Sequence, residues 1–508
     1  MGFAPTEEQQ LILDAFSRGE ELVIQAAAGA GKTSSLKLLA ESAPNKKFLY
    51  VAFNKAIATE AQQKFPSNVS ASTAHSLAYR AVGHKYRSRL NTSRIPFATV
   101  TRFLGIESQD IPTHTGEFKN FNSFTLTRLV NETVSNFCKT DKSEITEWDV
   151  PTVVGLDPMG ENGYQERGIG HTALAAYIMP FAHKAWEDLQ KTEGTLRFTH
   201  DHYLKMWAMS NPTLPGDVLL IDEAQDLNSL LQAVSFKQHQ MQKVFVGDSA
   251  QAIYGFTGAT DCLEKFEETG ATVLTLSQSF RFGQPVANAA NEILDLLNQG
   301  EMRVKGFDQI KSSLEDVDAP RAVLTRTNAG ALKEIAAMQG LGKKVCLVGG
   351  TDTIVKFINA AVELQDRGKT SHVELSLFKS WDELKQYVDQ DPDGKELTML
   401  VNLVDQNEPS KLLQAMNSCV SEDSADVIIS TAHKSKGREF ESVRISSDFQ
   451  LVKEHPETGE RSVAGAPELM LGYVALTRAQ NRLDPGLLLI EAEEAKKMLN
   501  MTTQSELV

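Results

Sequence analysis

Gln25-Ala-Ala-Ala-Gly-Ala-Gly-Lys-Thr33 lies between a short apolar run, Leu22–Gln25, and a helix-like stretch, Ser34–Glu41. Strand, glycine-bearing loop and helix in that order form the setting that a phosphate-binding loop requires. Gly29 and Gly31 let the chain turn its N–H groups inward. The backbone of Ala28, Gly29, Ala30, Gly31, Lys32, Thr33 and Ser34 can then surround phosphate oxygens at a helix N-terminus. Lys32 is placed to reach the β- and γ-phosphates, and the Thr33 hydroxyl to bind Mg²⁺. Ala26 stands where the generic pattern has its first glycine.

A second strand end carries the complementary charge. Val218-Leu-Leu-Ile-Asp-Glu-Ala-Gln-Asp226 is an apolar run that stops in carboxylates. Asp222 suits the Mg²⁺ shell, and Glu223 beside it suits polarising a water for in-line attack on a γ-phosphate. An acidic strand-to-helix cap would account for one carboxylate but not for this sequence. With water as acceptor and no other acceptor motif in view, ATP hydrolysis is expected rather than phosphoryl transfer to a substrate. A third strand end, Val244-Phe-Val-Gly-Asp-Ser-Ala-Gln-Ala-Ile-Tyr-Gly-Phe256, offers Gln251 to sense the γ-phosphate. Tyr254 and Phe256 beyond it could stack on bases.

Further strand-like runs are Phe48–Phe53, Val273–Leu276, Ala322–Thr325, Val345–Val348, Val427–Ser430, Val443–Ser446 and Leu487–Ile490. Short apolar runs followed by helix-like stretches read as buried parallel strands, and their grouping predicts two α/β domains. The first is expected over 1–75 and 201–275, interrupted by a mostly helical insertion over 76–200. The second is expected over 276–508, with a small insertion near 366–421. Trp148, Trp186, Trp207 and Trp381 read as core, and Lys453–Glu468 as a solvated connection.

With 508 residues the chain exceeds one hydrophobic core, and 41% apolar with 23% charged residues is ordinary globular composition. No run approaches the length of a membrane span, and no basic-then-apolar leader opens the chain. Four scattered cysteines suit a reducing compartment, cytoplasmic or, in a eukaryote, nuclear. A net charge of −15 argues against nucleic acid when taken alone. Its distribution argues otherwise: between Ser76 and Gly105 stand Arg80, Lys85, Arg87, Arg89, Arg94 and Arg102 with no Asp or Glu.

With three such motifs in this order, the chain resembles superfamily 1 helicases of the UvrD/Rep type. Thr6-Glu-Glu-Gln9 is similar to the family's adenine-recognising segment, through Gln9. Phe53-Asn-Lys-Ala-Ile-Ala-Thr-Glu-Ala61 and Ser72-Thr-Ala-His-Ser-Leu-Ala-Tyr79 resemble its first strand-contacting motifs, with Phe53, Asn54, Thr73 and His75. Leu276-Ser-Gln-Ser-Phe-Arg281 resembles the segment with an adenine-stacking aromatic, Phe280, and an arginine finger, Arg281. Leu324-Thr-Arg-Thr-Asn328 and Ser430-Thr-Ala-His-Lys-Ser-Lys-Gly-Arg-Glu-Phe440 resemble second-domain motifs. They place Arg326, Thr431 and His433 toward the strand, and Gly437 and Glu439 toward the nucleotide. Leu471-Gly-Tyr-Val-Ala-Leu-Thr-Arg-Ala479 supplies a second finger, Arg478.

The segment after Phe53 is most similar to the F-box DNA helicase branch, and no F-box precedes it. The resemblance implies two RecA-like domains around one ATP with Mg²⁺, and a motor, able to work as a monomer, that runs 3′→5′ on single-stranded DNA and opens duplex junctions. A translocase that strips bound proteins without unwinding is the alternative, and a DNA-independent nucleotide switch a third. Phe280 stands where a tyrosine is usual, Phe256 where a tryptophan is, and Thr257 where an arginine is. The chain between Arg326 and Thr431 is too short for a large second accessory domain.

Overall fold

The computed structural model describes residues 4–505 apart from 91, 93, 94, 96, 161–164, 255–261, 298–301, 373, 374, 379, 391–394, 407 and 455–458. Two parallel six-stranded sheets organise it. In the first the order is Val69–Thr73, Phe48–Ala52, Val218–Ile221, Gln242–Gly247, Leu22–Ala26, Thr272–Leu276, all parallel. In the second it is Val345–Leu347, Val427–Thr431, Ala322–Thr325, Phe440–Ile445, Ala479–Asp484, Ser313–Leu314.

Side chains alternate between two buried faces, which is why these strands read as continuous apolar runs. Ile24, Phe48, Tyr50, Leu220 and Val244 join one core with Ile12, Phe16, Leu36 and Leu39 of the helices Glu7–Ser17 and Lys32–Ser42. Their neighbours Val23, Leu49, Val51, Leu219, Ile221 and Phe245 face the opposite way. They share a core with the helices Ser123–Lys139, Ile169–Leu189 and His200–Met209. The helical segment between Thr73 and Val218 is therefore seated on one face of the first sheet.

The second sheet is built likewise. Val323, Val345, Leu347, Val427 and Ile429 pack under helices Asn328–Gly340 and Asp352–Arg367 and the helices of 381–417. Its other face meets Gln284–Leu296, Ala466–Leu476 and Leu488–Ser505, in a core continuous with that of the first sheet. The two sheets are thus joined by buried apolar contact.

Several local expectations need correction. Leu487–Ile490 is not a strand: it runs into the helix Leu488–Ser505, with Leu488 buried and Ile490 63% exposed. The strand at that end is Ala479–Asp484, whose polar alternation hid it. The described residues of Lys453–Glu468 are mostly solvent-exposed, as expected of a connection, but not irregular: Val452–Glu454 pairs antiparallel with Arg461–Val463, and a helix starts at Ala466. Trp186, Trp207 and Trp381 are buried, but Trp148 is 63% exposed beneath the Arg167 guanidinium. Within the basic stretch, Arg89 is buried against Asp188 and the carbonyls of Leu189 and Leu196, so it does not belong to any surface track. Among the described residues no helix is long and apolar enough to cross a membrane.

Candidate active site

Parallel α/β sheets place their ligands beyond the carboxyl ends of the strands, where loops converge and the sequence order of strands reverses. In the first sheet, Leu22–Ala26 lies between Gln242–Gly247 and Thr272–Leu276, and the glycine loop leaves its carboxyl end. Gly29 and Gly31 both have positive φ, +74° and +76°. At Gly29 a Cβ would lie 2.6 Å from Ser279 Oγ and 2.7 Å from Arg281 Cβ, so only glycine fits against the crossing Ser279–Arg281 segment. A Cβ on Gly31 would meet the Phe280 ring at 3.5 Å, and Phe280 is 39% exposed over the loop. Gln9 caps its own helix through Thr6 and donates to Ser35 Oγ at 3.1 Å, which ties the first helix to the helix after the loop.

The charged centre lies opposite. Lys32 Nζ meets Glu223 Oε1 at 2.7 Å, and Thr33 Oγ1 lies 3.5 Å from Asp222 Oδ2. Tyr50 donates to the same Asp222 oxygen at 2.7 Å, and Gln225 Nε2 to Glu223 Oε2 at 2.6 Å. Burial alone would raise the Glu223 pKa, but the Lys32 and Lys436 charges override it and hold it at about 2. Asp222 is shifted upward, by burial and then by the Glu223 charge. Glu223 is one of two non-glycine residues with positive φ among those described, at +52°, a strained conformation of the kind that collects at functional sites.

Two arginines complete the cleft, Arg281 just after the last strand of the first sheet and Arg478 just before the strand Ala479–Asp484 of the second. Arg478 is buried and donates to Gln251 Oε1 at 3.2 Å; burial and the neighbouring Arg281 lower its pKa to about 9, which leaves it a cation at neutral pH. Gln251 in turn donates to Asp248 Oδ2 at 2.5 Å. Arg281 pairs with Glu439 at 2.9 Å and donates to the Thr477 carbonyl at 3.0 Å. Gly437 turns the chain before Glu439 with φ +78°. The cleft thus gathers Gly29, Lys32, Thr33, Asp222, Glu223, Gln251, Arg281 and Arg478, and Glu439 holds Arg281.

The strand-side residues divide. Phe53 is 52% exposed and stacks on Tyr254, with centroids 5.8 Å apart and planes 13° from parallel. Asn54, Thr73 and Thr431 are all helix N-caps, accepting from the backbone of Ile57, Ser76 and Lys434. His75 faces Asp201 at 3.4 Å, and Arg326 is held by Glu468 at 2.5 Å. His433 accepts at its carbonyl from the Tyr254 hydroxyl at 3.3 Å. Phe256 and Thr257 lie outside the described residues.

Two residues that reach this cleft were not assigned from sequence. Tyr473, fully buried in the second domain, accepts from the Ala28 N–H and donates to Asp248 Oδ2, each at 3.2 Å. Lys436 meets Asp226 at 2.6 Å. Both stand inside stretches already singled out, but nothing in one dimension says that they cross the cleft. Removing the hydroxyl in Tyr473→Phe leaves a buried N–H and a buried carboxyl each short of a partner. Urea melts should show a loss of about 1–3 kcal/mol; unchanged stability would mean that these two contacts do not hold in solution.

Two parallel sheets that share one cleft, with a phosphate loop, an acidic pair and two arginines around it, define a two-domain RecA-like P-loop protein. Residues 9–257 match the AAA domain family and residues 304–484 the UvrD-like helicase C-terminal domain. The chain belongs to the UvrD-like helicases of superfamily 1. It is 31% identical to F-box DNA helicase 1 of Gallus gallus, over 94% of this chain and 48% of that protein. It is 29% identical to F-box DNA helicase protein 1 of Schizosaccharomyces pombe, over 94% of this chain and 57% of that one. The chain thus spans about half the length of the curated relatives that it matches.

Proposed function

We propose that the protein is a Mg²⁺- and ATP-dependent DNA helicase that moves 3′→5′ along single-stranded DNA as a monomer and opens duplex at junctions. The observation that carries the reading is the composite cleft, in which Lys32, Asp222 and Glu223 of the first sheet oppose Arg281 and Arg478. The names of the two relatives support DNA as the polymer. The proposed compartment is the cytoplasm, or the nucleus in a eukaryotic host.

The Thr33 hydroxyl and one carboxylate, Asp222, fit a small hard cation that keeps most of its water. When bound, such an ion neutralises charge on the β- and γ-phosphates. The chain's own groups do the rest. The positive-φ glycines open the loop for phosphate oxygens. Lys32 exchanges Glu223 for phosphate, which frees that carboxylate to take a proton from water. Arg281 and Arg478 stabilise charge that develops on the transferring group, so turnover depends on closure of the two domains. Repeated closure displaces one domain against the other along the strand, with the Phe53–Tyr254 pair as the surface on which bases stack.

Steady-state ATP hydrolysis with and without a single-stranded oligonucleotide, at low and raised salt, tests the reading; strong, salt-sensitive stimulation is expected. No stimulation would favour a DNA-independent switch. Partial duplexes with a 3′ or a 5′ tail then decide polarity, and protein displacement without strand separation would favour the stripping translocase. Phe53→Ala should weaken oligonucleotide binding by about 1–3 kcal/mol in anisotropy titrations, with ATP affinity kept.

A further inference from the structure

Lys436 lies between the aromatic platform and the turn that follows the acidic pair. Lys436, buried at the end of the short helix Ala432–Ser435, reaches across the cleft from the second domain. Its ammonium donates to Asp226 Oδ2 at 2.6 Å and to the Gln251 carbonyl at 2.7 Å. The same ammonium lies 5.0 Å from the centroid of the Tyr254 ring, which also stacks on the exposed Phe53. Asp226 in turn closes the one-turn helix that begins at Glu223: its N–H donates to the Glu223 carbonyl at 2.9 Å. That turn is where Glu223 holds its strained φ of +52°.

Asp226 relies heavily on this contact. Its Oδ1 is buried and has no hydrogen-bond partner among the described residues. Burial raises its pKa to about 6 against the opposing pull of Lys436. A buried ion pair is a weak source of stability, because desolvation offsets most of its attraction. This pair does what an apolar contact could not: it makes the position of one turn in the first domain depend on a charge carried by the second.

We infer that Lys436 is a positioning residue that couples a base stacked on the Phe53–Tyr254 platform to the orientation of the Glu223 turn. A base stacking on Phe53 presses on Tyr254, and Tyr254 bears on the Lys436 ammonium. Lys436 then carries the displacement to Asp226 and so to Glu223. The inference rests on the strand-stimulated ATP hydrolysis proposed above.

The test compares the wild-type chain with Lys436→Met, Lys436→Arg and the double variant Lys436→Met/Asp226→Asn. The readouts are the ratio of ATPase rates with and without oligo(dT) and direct binding of a fluorescent ATP analogue. Lys436→Met is expected to lower the stimulation ratio about tenfold, the scale of one charge-assisted hydrogen bond. Analogue affinity should stay near that of the wild type, and Lys436→Arg should keep more of the stimulation than Lys436→Met. Coupling is reciprocal, so Lys436→Met should also shrink the effect of the ATP analogue on oligonucleotide affinity.

The double variant removes the stranded carboxylate and should restore thermal stability without restoring stimulation. Restored stimulation there would reduce the pair to charge balance and overturn the inference. Equal stimulation of Lys436→Met and the wild type would overturn it alone. An unstimulated wild-type chain would overturn the proposed function, and the inference with it.

Discussion

Glu223→Gln is expected to lower kcat by about 10²–10⁴, the usual contribution of a positioned general base, while ATP still binds. The amide is isosteric and keeps a hydrogen-bonding oxygen for Gln225, but it cannot accept a proton from water. In the wild type the Lys32 and Lys436 charges hold the Glu223 carboxyl at about pH 2 against burial, so it is ionised across the neutral range. The variant also removes the charge that Lys32 faces at 2.7 Å before nucleotide enters. ATP affinity should therefore hold or rise while turnover falls. Equilibrium binding of a fluorescent ATP analogue beside single-turnover hydrolysis separates the two, and near-normal turnover would remove Glu223 from the base role.

Arg281→Ala and Arg478→Ala should each lower kcat by about 10³–10⁵ if they act as arginine fingers, with a much smaller change in ATP affinity. The two differ in what else they hold. Arg478 is fully buried and donates to the carbonyls of Val474 and Arg438 as well as to Gln251. Its loss should also lower the melting temperature. Arg281 is less deeply buried, donates to one carbonyl, of Thr477, and pairs with the half-exposed Glu439, so its loss should cost less stability than that of Arg478. A pure rise in KM with kcat retained, in either variant, would mean that the residue binds ground-state nucleotide and is not a finger.

The nucleotide half of the cleft was legible because its chemistry is local. A phosphate loop must put its glycines and lysine within one strand–turn–helix unit, and Asp222 and Glu223 are neighbours at one strand end. Parallel strands buried on both faces, such as Val218–Ile221 and Ala322–Thr325, carry their own apolar signal. Ala479–Asp484 does not, since its NRLD end is polar, and the more apolar Leu487–Ile490 next to it drew the strand reading instead. Val69–Thr73 escaped for the same reason: Val-Ser-Ala-Ser-Thr is weakly apolar and sits at the sheet edge. Trp148 shows the opposite failure, a large apolar side chain left in solvent beside Arg167.

By itself the sequence determined the two-sheet architecture, the phosphate loop and the acidic pair, because each is written in consecutive residues whose spacing the backbone enforces. Tertiary structure alone decided what crosses the cleft: Tyr473 on Ala28 and Asp248, Lys436 on Asp226, Arg478 on Gln251. It also showed that Asn54, Thr73 and Thr431, expected near the strand, cap helices. The physical reason is sequence separation. A side chain's type limits the bonds it can make, but which partner 210 to 445 residues away completes them depends on how two separately built sheets pack, and no local pattern records that.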